Sequence, residues 1–153
     1  MDRTCIAVVD ATRGRLFTFD RASDAAGVHE ELEERADLVN PQRRMRPSEL
    51  FTDSHATFED RRYHHMDEID ASFARLIAGE IEKLVRAAPT RRLILCASPN
   101  MLGVIRTLEL HRLGIVIDEL DRDLVKLTPA QLRDYLTSMS LLPEPPPRPE
   151  MRP

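Results

Sequence analysis

The sequence RRLILCASPNMLGVIRTLELHRLGIVIDELDRDLVKLTPAQLRDYL, residues 91–136, decides the fold of this chain. Its apolar run at 93–97 is typical of a strand that is covered on both faces. Ser98-Pro99 then predicts the N-cap and first turn of a helix that ends at Gly114. A second apolar run at 115–117 predicts another strand. Because a helix separates two short strands, the pattern predicts a parallel β-α-β unit.

The end of the chain carries a second helix signal and then a composition that excludes helix. Thr128-Pro129-Ala130-Gln131 matches a capping box, and Leu127 and Leu132 are placed as its hydrophobic staple. From residue 143 the sequence reads Pro-Glu-Pro-Pro-Pro-Arg-Pro, which cannot form a helix or a central strand. We therefore expect one domain over residues 1–142 and an extended, mobile tail over residues 143–153.

The first 38 residues predict three antiparallel strands, at 5–9, 15–19 and 28–38. Gly14 ends the first turn, where it would be free to adopt positive φ. Residues 20–27 are interpreted as a polar connection. The third strand has Leu32 as its apolar anchor and many carboxylates, which favours an edge position.

Residues 39–66 show no convincing periodicity and contain five arginines, three histidines and four carboxylates. Such long segments are usually functional loops or disordered.

Residues 67–88 then predict a long amphipathic helix. Its apolar face comprises Ile69, Phe73, Leu76, Ile77, Ile81, Leu84 and Val85. The resulting order, β-β-β-α-β-α-β-α, predicts an α/β domain with a ribonuclease H-like mixed sheet.

Composition bounds the class of protein. With 153 residues and 42% hydrophobic residues, the chain can form one domain with an ordinary core. The net charge of −4 gives no global attraction to nucleic acid, so any such contact requires a local patch. The sequence begins directly with a strand and has no signal peptide or long apolar run, so we expect a cytoplasmic protein without membrane contact. Cys5 and Cys96 lie in apolar strands and are interpreted as buried small hydrophobes. The oligomeric state is not set by the sequence.

Five segments form an ordered set of motifs. The first is Asp10-Ala11-Thr12-Arg13-Gly14-Arg15-Leu16-Phe17, and the others are Leu38-Val39-Asn40-Pro41, Phe58-Glu59-Asp60-Arg61-Arg62-Tyr63-His64-His65, the stretch 92–103 and the stretch 119–129. Together, over roughly residues 4–137 and with matching order and spacing, they resemble the bacterial host attachment protein family.

The resemblance implies a role in the attachment of bacteria to host cells. The family is also similar to the middle domain of archaeo-eukaryotic peptide-chain release factors, which has a ribonuclease H-like core. In those factors the loop before the long helix carries a Gly-Gly-Gln tip that enters the peptidyl-transferase centre. The corresponding segment here, residues 39–66, contains no glycine, and Gln42 is its only glutamine. The resemblance therefore argues against peptidyl-tRNA hydrolysis and leaves a role on RNA or the ribosome.

Carboxylates at strand ends offer a catalytic alternative. Asp10 follows the first strand and Asp118 the last, with Glu119 and Asp121 nearby, and Glu68 or Glu80 could approach from the long helix. Two-metal nucleases need carboxylates that converge on cations about 4 Å apart. The competing interpretation is that Asp10 and Thr12 stabilise a tight turn and that Asp121 and Asp123 lie on a solvated loop.

The basic residues of segment 39–66 suggest a binding surface. Arg43, Arg44, Arg61 and Arg62, with His64 and His65, could contact the phosphates of RNA or the ribosome. Adjacent histidines rarely bind one ion well, and no cysteine completes a zinc set with them and His55, so we expect no metal and no cofactor. A solvated loop is the alternative.

A third candidate lies at the start of the helix that follows strand 93–97. Ser98 and Asn100 stand at a helix N-terminus and at the carboxyl end of a parallel strand, where anions and other ligands are often bound. No nucleophile elbow surrounds Ser98. We therefore interpret the chain as a non-catalytic module that binds RNA or a translation component. The alternatives are a metal-dependent nuclease that uses Asp10 and Asp118, and an adaptor in host-cell attachment.

Overall fold

The computed structural model of the chain describes the backbone of residues 2–44 and 58–147, and the side-chain surroundings of residues 3–42 and 68–147. These residues form a mixed sheet flanked by helices, which confirms the predicted α/β class. The strands are β1 (Asp2–Val9), β2 (Arg13–Asp24), β3 (Gly27–Val39), β4 (Arg92–Ala97) and β5 (Val116–Asp121). The helices are α1 (Phe58–Ala87), α2 (Pro99–Arg106) and α3 (Pro129–Ser138), with short 3₁₀ turns at Pro41–Arg44 and Leu110–Leu113.

The strand order is β3-β2-β1-β4-β5. β2 pairs antiparallel with both β1 and β3, whereas β4 pairs parallel with β1 and with β5. β1 is therefore the central strand, and its residues 5–9 are all buried. The apolar runs of β1 and β4 follow from this position, because both faces of each strand are covered.

Two hydrophobic cores lie on opposite faces of the sheet. In the first core α1 and α2 pack on the sheet, with Phe73, Ile77 and Ile81 from α1 and Met101 and Ile105 from α2. In the second core α3 and the segment that precedes it cover the other face. Its members include Phe17, Phe19, Leu124, Val125, Leu132 and Leu136. Cys5 belongs to the first core and Cys96 to the second, both as free thiols, which confirms their interpretation as small buried hydrophobes.

The β2–β3 hairpin is longer than the sequence suggested. The predicted polar connection over residues 20–27 is wrong, because β2 continues to Asp24 and β3 begins at Gly27, with φ of 124°. The extension lacks an apolar pattern because it is stabilised by cross-strand contacts such as Arg21 Nη1 to Glu30 Oε2, 3.6 Å. β3 lies at the edge of the sheet, as predicted.

A β-bulge in this hairpin lets β3 contribute to both cores. Leu16 pairs with Ala36 but Phe17 pairs with Glu34, so that Arg35 is the extra residue. One extra residue reverses the facing of the strand beyond it. Leu38 therefore packs on the first core, while Leu32 packs on the second.

Helix α1 is longer than predicted and begins at Phe58 rather than at residue 67. The predicted loop over residues 39–66 is therefore wrong in its extent, since its first part contains the 3₁₀ turn Pro41–Arg44 and its last nine residues are helical. Residues 58–66 contain neither glycine nor proline, and Glu59 and Asp60 suit the positive end of a helix. Leu76, which was placed on the buried face, is 47% exposed.

The predicted helix over residues 99–113 is interrupted. α2 ends at Arg106, Glu109 has a φ of 53°, and a 3₁₀ turn then reaches Gly114, with φ of 73°. In an uninterrupted helix Leu110 would point about 130° away from the stripe of buried residues, at 100° per residue. The break turns Leu110 into the core, where it is 5% exposed.

The second half of the β-α-β unit also differs in extent. β5 begins at Val116 and continues to Asp121, so Asp118 and Glu119 lie within the strand and not after it. As an edge strand, β5 does not need an apolar residue at each position.

The capping box of α3 is confirmed: the Gln131 N–H donates to Thr128 Oγ1 at 3.2 Å, and the Thr128 N–H donates to Gln131 Oε1 at 3.0 Å.

A buried arginine links the two ends of the fold. Arg15 on β2 is 6% exposed and its guanidinium lies 5.1 Å from the centre of the Phe17 ring. It donates to Val125 O at 3.0 Å and to Leu127 O at 2.5 Å, and it forms an ion pair with Glu34 on β3 at 2.6 Å.

Within the described ranges no helix is both long and apolar enough to cross a membrane.

Candidate functional site at the carboxyl edge of the sheet

The carboxyl ends of β1, β4 and β5 lie at one edge of the sheet, because Val9, Ala97 and Asp121 are at the same level of the ladder. We call this the carboxyl edge. Asp10 follows β1 here and stabilises a tight turn. Its Oδ1 accepts hydrogen bonds from the Thr12 N–H (2.8 Å), from Thr12 Oγ1 (2.7 Å) and from the Arg13 N–H (2.8 Å). This geometry agrees with the alternative interpretation from the sequence, in which Asp10 and Thr12 stabilise a tight turn.

Asp123 is the acidic partner of Asp10. It lies in the segment after β5, which crosses back over the sheet toward β1 and β2, and its carboxyl group lies close enough to that of Asp10 for the two to interact. Burial raises the pKa of Asp123, and the neighbouring Asp10 carboxylate raises it further, against the lowering effect of the hydrogen bond from the Val125 N–H (3.2 Å). Burial would also raise the pKa of Asp10, but the hydrogen bonds from Thr12 and Arg13 outweigh it and lower that pKa. Asp123 is therefore the member of the pair that takes up a proton first as pH falls.

Asp118 lies elsewhere. It pairs in register with Ile94, three residues before Ala97, so it lies about 10 Å below the carboxyl edge at the usual strand rise. Arg92 Nε donates to its Oδ2 at 2.5 Å. The structure thus brings Asp123, and not Asp118, next to Asp10.

Ser98 and Asn100 stand at the start of α2 on the same edge. The Ser98 N–H donates to Val9 O at 3.1 Å, which fixes the turn beside Asp10. Ser98 occupies the N-cap position, as predicted, but its side chain makes no capping hydrogen bond. Asn100 Nδ2 donates to Oδ2 of Asp70 at 3.2 Å, and Asp70 is 1% exposed. This contact joins the N-terminus of α2 to α1.

The basic candidates lie on two backbone segments. Arg43 and Arg44 belong to the 3₁₀ turn that follows β3, and Arg61, Arg62, His64 and His65 belong to the first turns of α1. The side-chain positions of these six residues, and residue His55 as a whole, lie outside the part of the chain that is described. Asn40, 2% exposed, fixes the first segment: its N–H donates to Thr12 O (2.8 Å) and its Nδ2 to Ala11 O (3.0 Å).

Both segments emerge at the carboxyl edge. The contact of Asp70 with Asn100 shows that α1 has reached this edge by residue 70, and Arg91, after the helix, donates its N–H to Arg3 O at the opposite edge. Eleven residues of α1 precede Ile69, and at 1.5 Å per residue their helical backbone extends about 16 Å. The backbone of Arg43 and Arg44 thus follows a segment that is bonded to the turn of Asp10, and the backbone of residues 61–65 precedes the point at which α1 reaches the carboxyl edge.

The described side chains at the carboxyl edge offer the Asp10–Asp123 acid pair, the hydroxyls of Thr12 and Ser98, and the contact of Asn100 with the Asp70 carboxylate. Across the described side chains no three or more His, Cys, Asp or Glu residues are grouped so that they could hold a metal ion. Two carboxylates that share a proton can accept and donate hydrogen bonds, but two-metal catalysis requires further ligands.

Comparison with known proteins defines the family. Residues 5–136 match the profile of a family described as "Protein required for attachment to host cells". The chain belongs to this family. The host attachment match covers the entire sheet apart from the first residues of β1, and it extends to the last buried leucine of α3, Leu136. Among curated proteins, none matches the chain.

Two solved structures are similar in part to this host attachment protein. One is the crystal structure of the Aquifex aeolicus member of the Ppx/GppA protein family, with 11% identity, a TM-score of 0.42 and coverage of 77% of this chain and 34% of the other. The second is the type II variant of the Aquifex aeolicus Ppx/GppA phosphatase, with 12% identity, a TM-score of 0.39 and coverage of 78% and 36%. The chain thus spans about a third of the length of these structures.

Sequence reasoning missed two features of the site. Asp123 was assigned to a solvated loop because nothing in the sequence indicates that the segment after β5 returns to β1. Asp70 was not singled out, although a carboxylate one residue after Ile69 on the buried face of a helix was a signal for a polar contact at that face.

Proposed function

We propose that this host attachment family protein is a non-catalytic module that binds RNA or a translation component through the basic residues of segment 39–66. The observation that carries the proposal is the shared position of Pro41–Arg44 and the first turns of α1 at the carboxyl edge. In open α/β sheets ligands are usually bound at this edge. Two separate basic segments whose backbones leave the sheet on this side could contact a phosphate backbone at more than one point.

The proposal includes a ribonuclease H-like fold related to the middle domain of the release factors. What supports it is the order β3-β2-β1-β4-β5, in which β2 alone runs opposite to the other strands. The segment between β3 and α1 corresponds to the one that carries the Gly-Gly-Gln tip in those factors. Since residues 39–66 contain no glycine, binding without peptidyl-tRNA hydrolysis is the function that we propose. We also place the protein in the cytoplasm, which the free thiols of Cys5 and Cys96 support.

The test is RNA binding as a function of salt. Wild-type protein should bind single-stranded RNA at low salt, with an affinity that falls steeply as salt rises. The variant Arg43→Ala/Arg44→Ala/Arg61→Ala/Arg62→Ala should bind more weakly. Each lost phosphate contact should reduce the salt slope by about 0.7 for a single strand.

A matched control removes four arginines from outside the segment, all of them exposed: Arg75, Arg86, Arg112 and Arg122. This control loses the same formal charge, so a difference between the two variants reports on position and not on net charge. Melting temperatures measured in parallel separate a loss of binding from a loss of folding. Equal binding by both variants would remove the segment from the mechanism. If wild-type protein does not bind RNA at low salt, the nucleic-acid proposal fails and the attachment role in the family description becomes the leading one.

The second candidate is the metal-dependent nuclease, for which the Asp10–Asp123 pair would supply two carboxylates and residues outside the described side chains would have to supply the other ligands. In that case Mg²⁺-dependent cleavage of RNA or DNA should be lost in both Asp10→Asn and Asp123→Asn. Asp118→Asn should cleave like wild type, because Arg92 holds Asp118 away from the pair. No cleavage by the wild-type protein excludes this candidate.

A further inference from the structure

The chain after α3 is fixed through its backbone carbonyls. Leu142, 4% exposed, anchors it in the second core. Three arginines from three different elements then donate to it: Arg92 Nη1 to Leu141 O at 2.5 Å, Arg133 Nη2 to Pro143 O at 2.7 Å, and Arg21 Nη1 to Glu144 O at 3.0 Å. Because these contacts use backbone oxygens, they leave the side chains of Pro143 and Glu144 exposed.

Residues 143–147, Pro-Glu-Pro-Pro-Pro, continue from this anchor without helix or strand. Proline fixes φ near −65°, and a residue that precedes proline is also restricted to extended conformations. Four prolines in five positions therefore favour a left-handed polyproline II helix. Pro143, Pro145 and Pro147 are exposed and Pro146 is half-buried. The segment thus presents proline rings on the surface of a folded domain.

A polyproline II segment is recognised by grooves lined with aromatic side chains. The described part of this chain offers no such groove, since Phe17, Phe19 and Phe73 are buried and Tyr135 is half-buried. The groove that we consider for this segment therefore belongs to another protein. A cleft of about 390 Å³, lined in part by Thr4, Arg21 and Pro143, opens beside the first proline and has room for a side chain of such a partner.

We propose that residues 143–147 are a ligand of the P-x-x-P type, with Pro143 and Pro146 as its two prolines, for the aromatic groove of a partner domain of the SH3 or WW kind. The three arginines order the start of the ligand before binding. A segment that is already ordered loses less conformational entropy when it binds. This interaction is separate from RNA binding at the carboxyl edge and does not depend on it.

The experiment measures binding of the full chain to a panel of purified SH3 and WW domains by titration calorimetry. We expect at least one domain to bind and the variant Pro143→Ala/Pro146→Ala to lose about tenfold or more in affinity. Pro89→Ala changes an exposed proline outside the segment and should bind like wild type. Arg21→Ala keeps both prolines but releases the Glu144 carbonyl, so it should bind more weakly than wild type. All variants should keep a cooperative melting transition, which shows that the domain is folded.

Two outcomes would overturn the proposal. Absence of binding to every domain of the panel by the folded wild-type chain would exclude the segment as a ligand of these modules. Equal affinity of the double proline variant and wild type would show that another surface binds. Wild-type affinity in Arg21→Ala would overturn the role of the arginine anchor.

Discussion

At the scale of single residues, contacts decide what sequence patterns leave open. Gly14 was expected to serve as a flexible turn glycine. It lies instead in β2, between Val9 and Leu38, and it is not among the described glycines with positive φ. Its importance is steric, because a Cβ there would lie 2.3 Å from Ile77 Cδ1. A glycine that is needed for close approach of a helix looks the same in sequence as one that is needed for a turn.

The substitution Gly14→Ala should therefore destabilise the protein by about 1–3 kcal/mol, the usual effect of overpacking a core. Ile77 is fully buried, so its Cδ1 can move away from the added methyl group only by repacking against its neighbours in the first core. Ile77→Val removes the Cδ1 atom, so the double variant should be little less stable than Ile77→Val alone. Urea denaturation of the four proteins gives the coupling free energy. Purely additive effects would show that the contact does not limit packing.

The acid pair predicts a dependence of stability on pH. Because the pKa of Asp123 is raised, the folded state binds this proton more tightly than the unfolded chain does. The stability gained in this way is lost as pH rises through the raised pKa. The pKa of Asp10 is lowered, so its contribution to stability is lost as pH falls through that pKa. Asp123→Asn keeps a hydrogen-bond donor beside Asp10 and removes the repulsion.

We expect Asp123→Asn to raise the melting temperature at pH 7 and to raise it less at pH 4, because the wild-type carboxyl group takes up a proton more readily than an ordinary aspartate as pH falls. Asp134→Asn, an exposed site on α3, is the control for charge. A stabilisation that is the same at both pH values would show that the titration of Asp123 does not set the effect.

At the scale of elements, helix α1 shows what periodicity can and cannot indicate. The spacing of Ile69, Phe73, Ile77 and Ile81 predicted the buried face correctly. It did not predict the extension to Phe58, because the sequence of residues 58–66 carries no apolar stripe. For the same reason the hairpin beyond residue 20 and the end of β5 were missed. Where solvent covers a face, the hydrophobic pattern that marks an element is absent.

Helix α1 also gives a direct test of its facing. Phe73→Ala should cost about 3–5 kcal/mol, as is usual for a buried aromatic residue. Leu76→Ala, three residues further along the same helix and 47% exposed, should cost under about 1 kcal/mol. Both values come from the free energy of unfolding in urea. Similar losses in the two variants would mean that the helix is rotated.

At the scale of the whole molecule, hydrophobic packing brings distant segments together, and long-range polar contacts then fix their relative positions. Arg15 connects β2, β3 and the segment before α3. No sequence rule anticipated it, since an arginine beside Phe17 and Phe19 in a strand pattern is normally assigned to solvent. The same limit applies to the candidate site, where Asp10 was found from its place at a strand end but Asp123 depends on how a distant segment returns.

Arg15→Ala should destabilise the protein by about 3 kcal/mol, since it leaves two carbonyls and Glu34 without their donor. This is the lower end of the range for a buried ion pair, because Glu34 retains contact with solvent. Arg13→Ala removes an exposed pair with Asp37 and should cost under about 1 kcal/mol. Chemical denaturation measures both. If the two losses are equal, Arg15 acts as an ordinary surface residue.

The central position of β1 has a consequence for folding during synthesis. β1 finds its antiparallel neighbour β2 within the first 24 residues, but its parallel neighbour β4 begins only at Arg92. The apolar side chains of Phe17 and Phe19 remain uncovered for longer, until the segment that contains Leu124 and Leu142 has been synthesised. A chain that leaves the ribosome from its N-terminus can therefore form the hairpin early, but that hairpin exposes an uncovered apolar face until Leu142 has emerged. Over that interval the nascent hairpin has the exposed apolar surface that makes incompletely folded chains prone to aggregation.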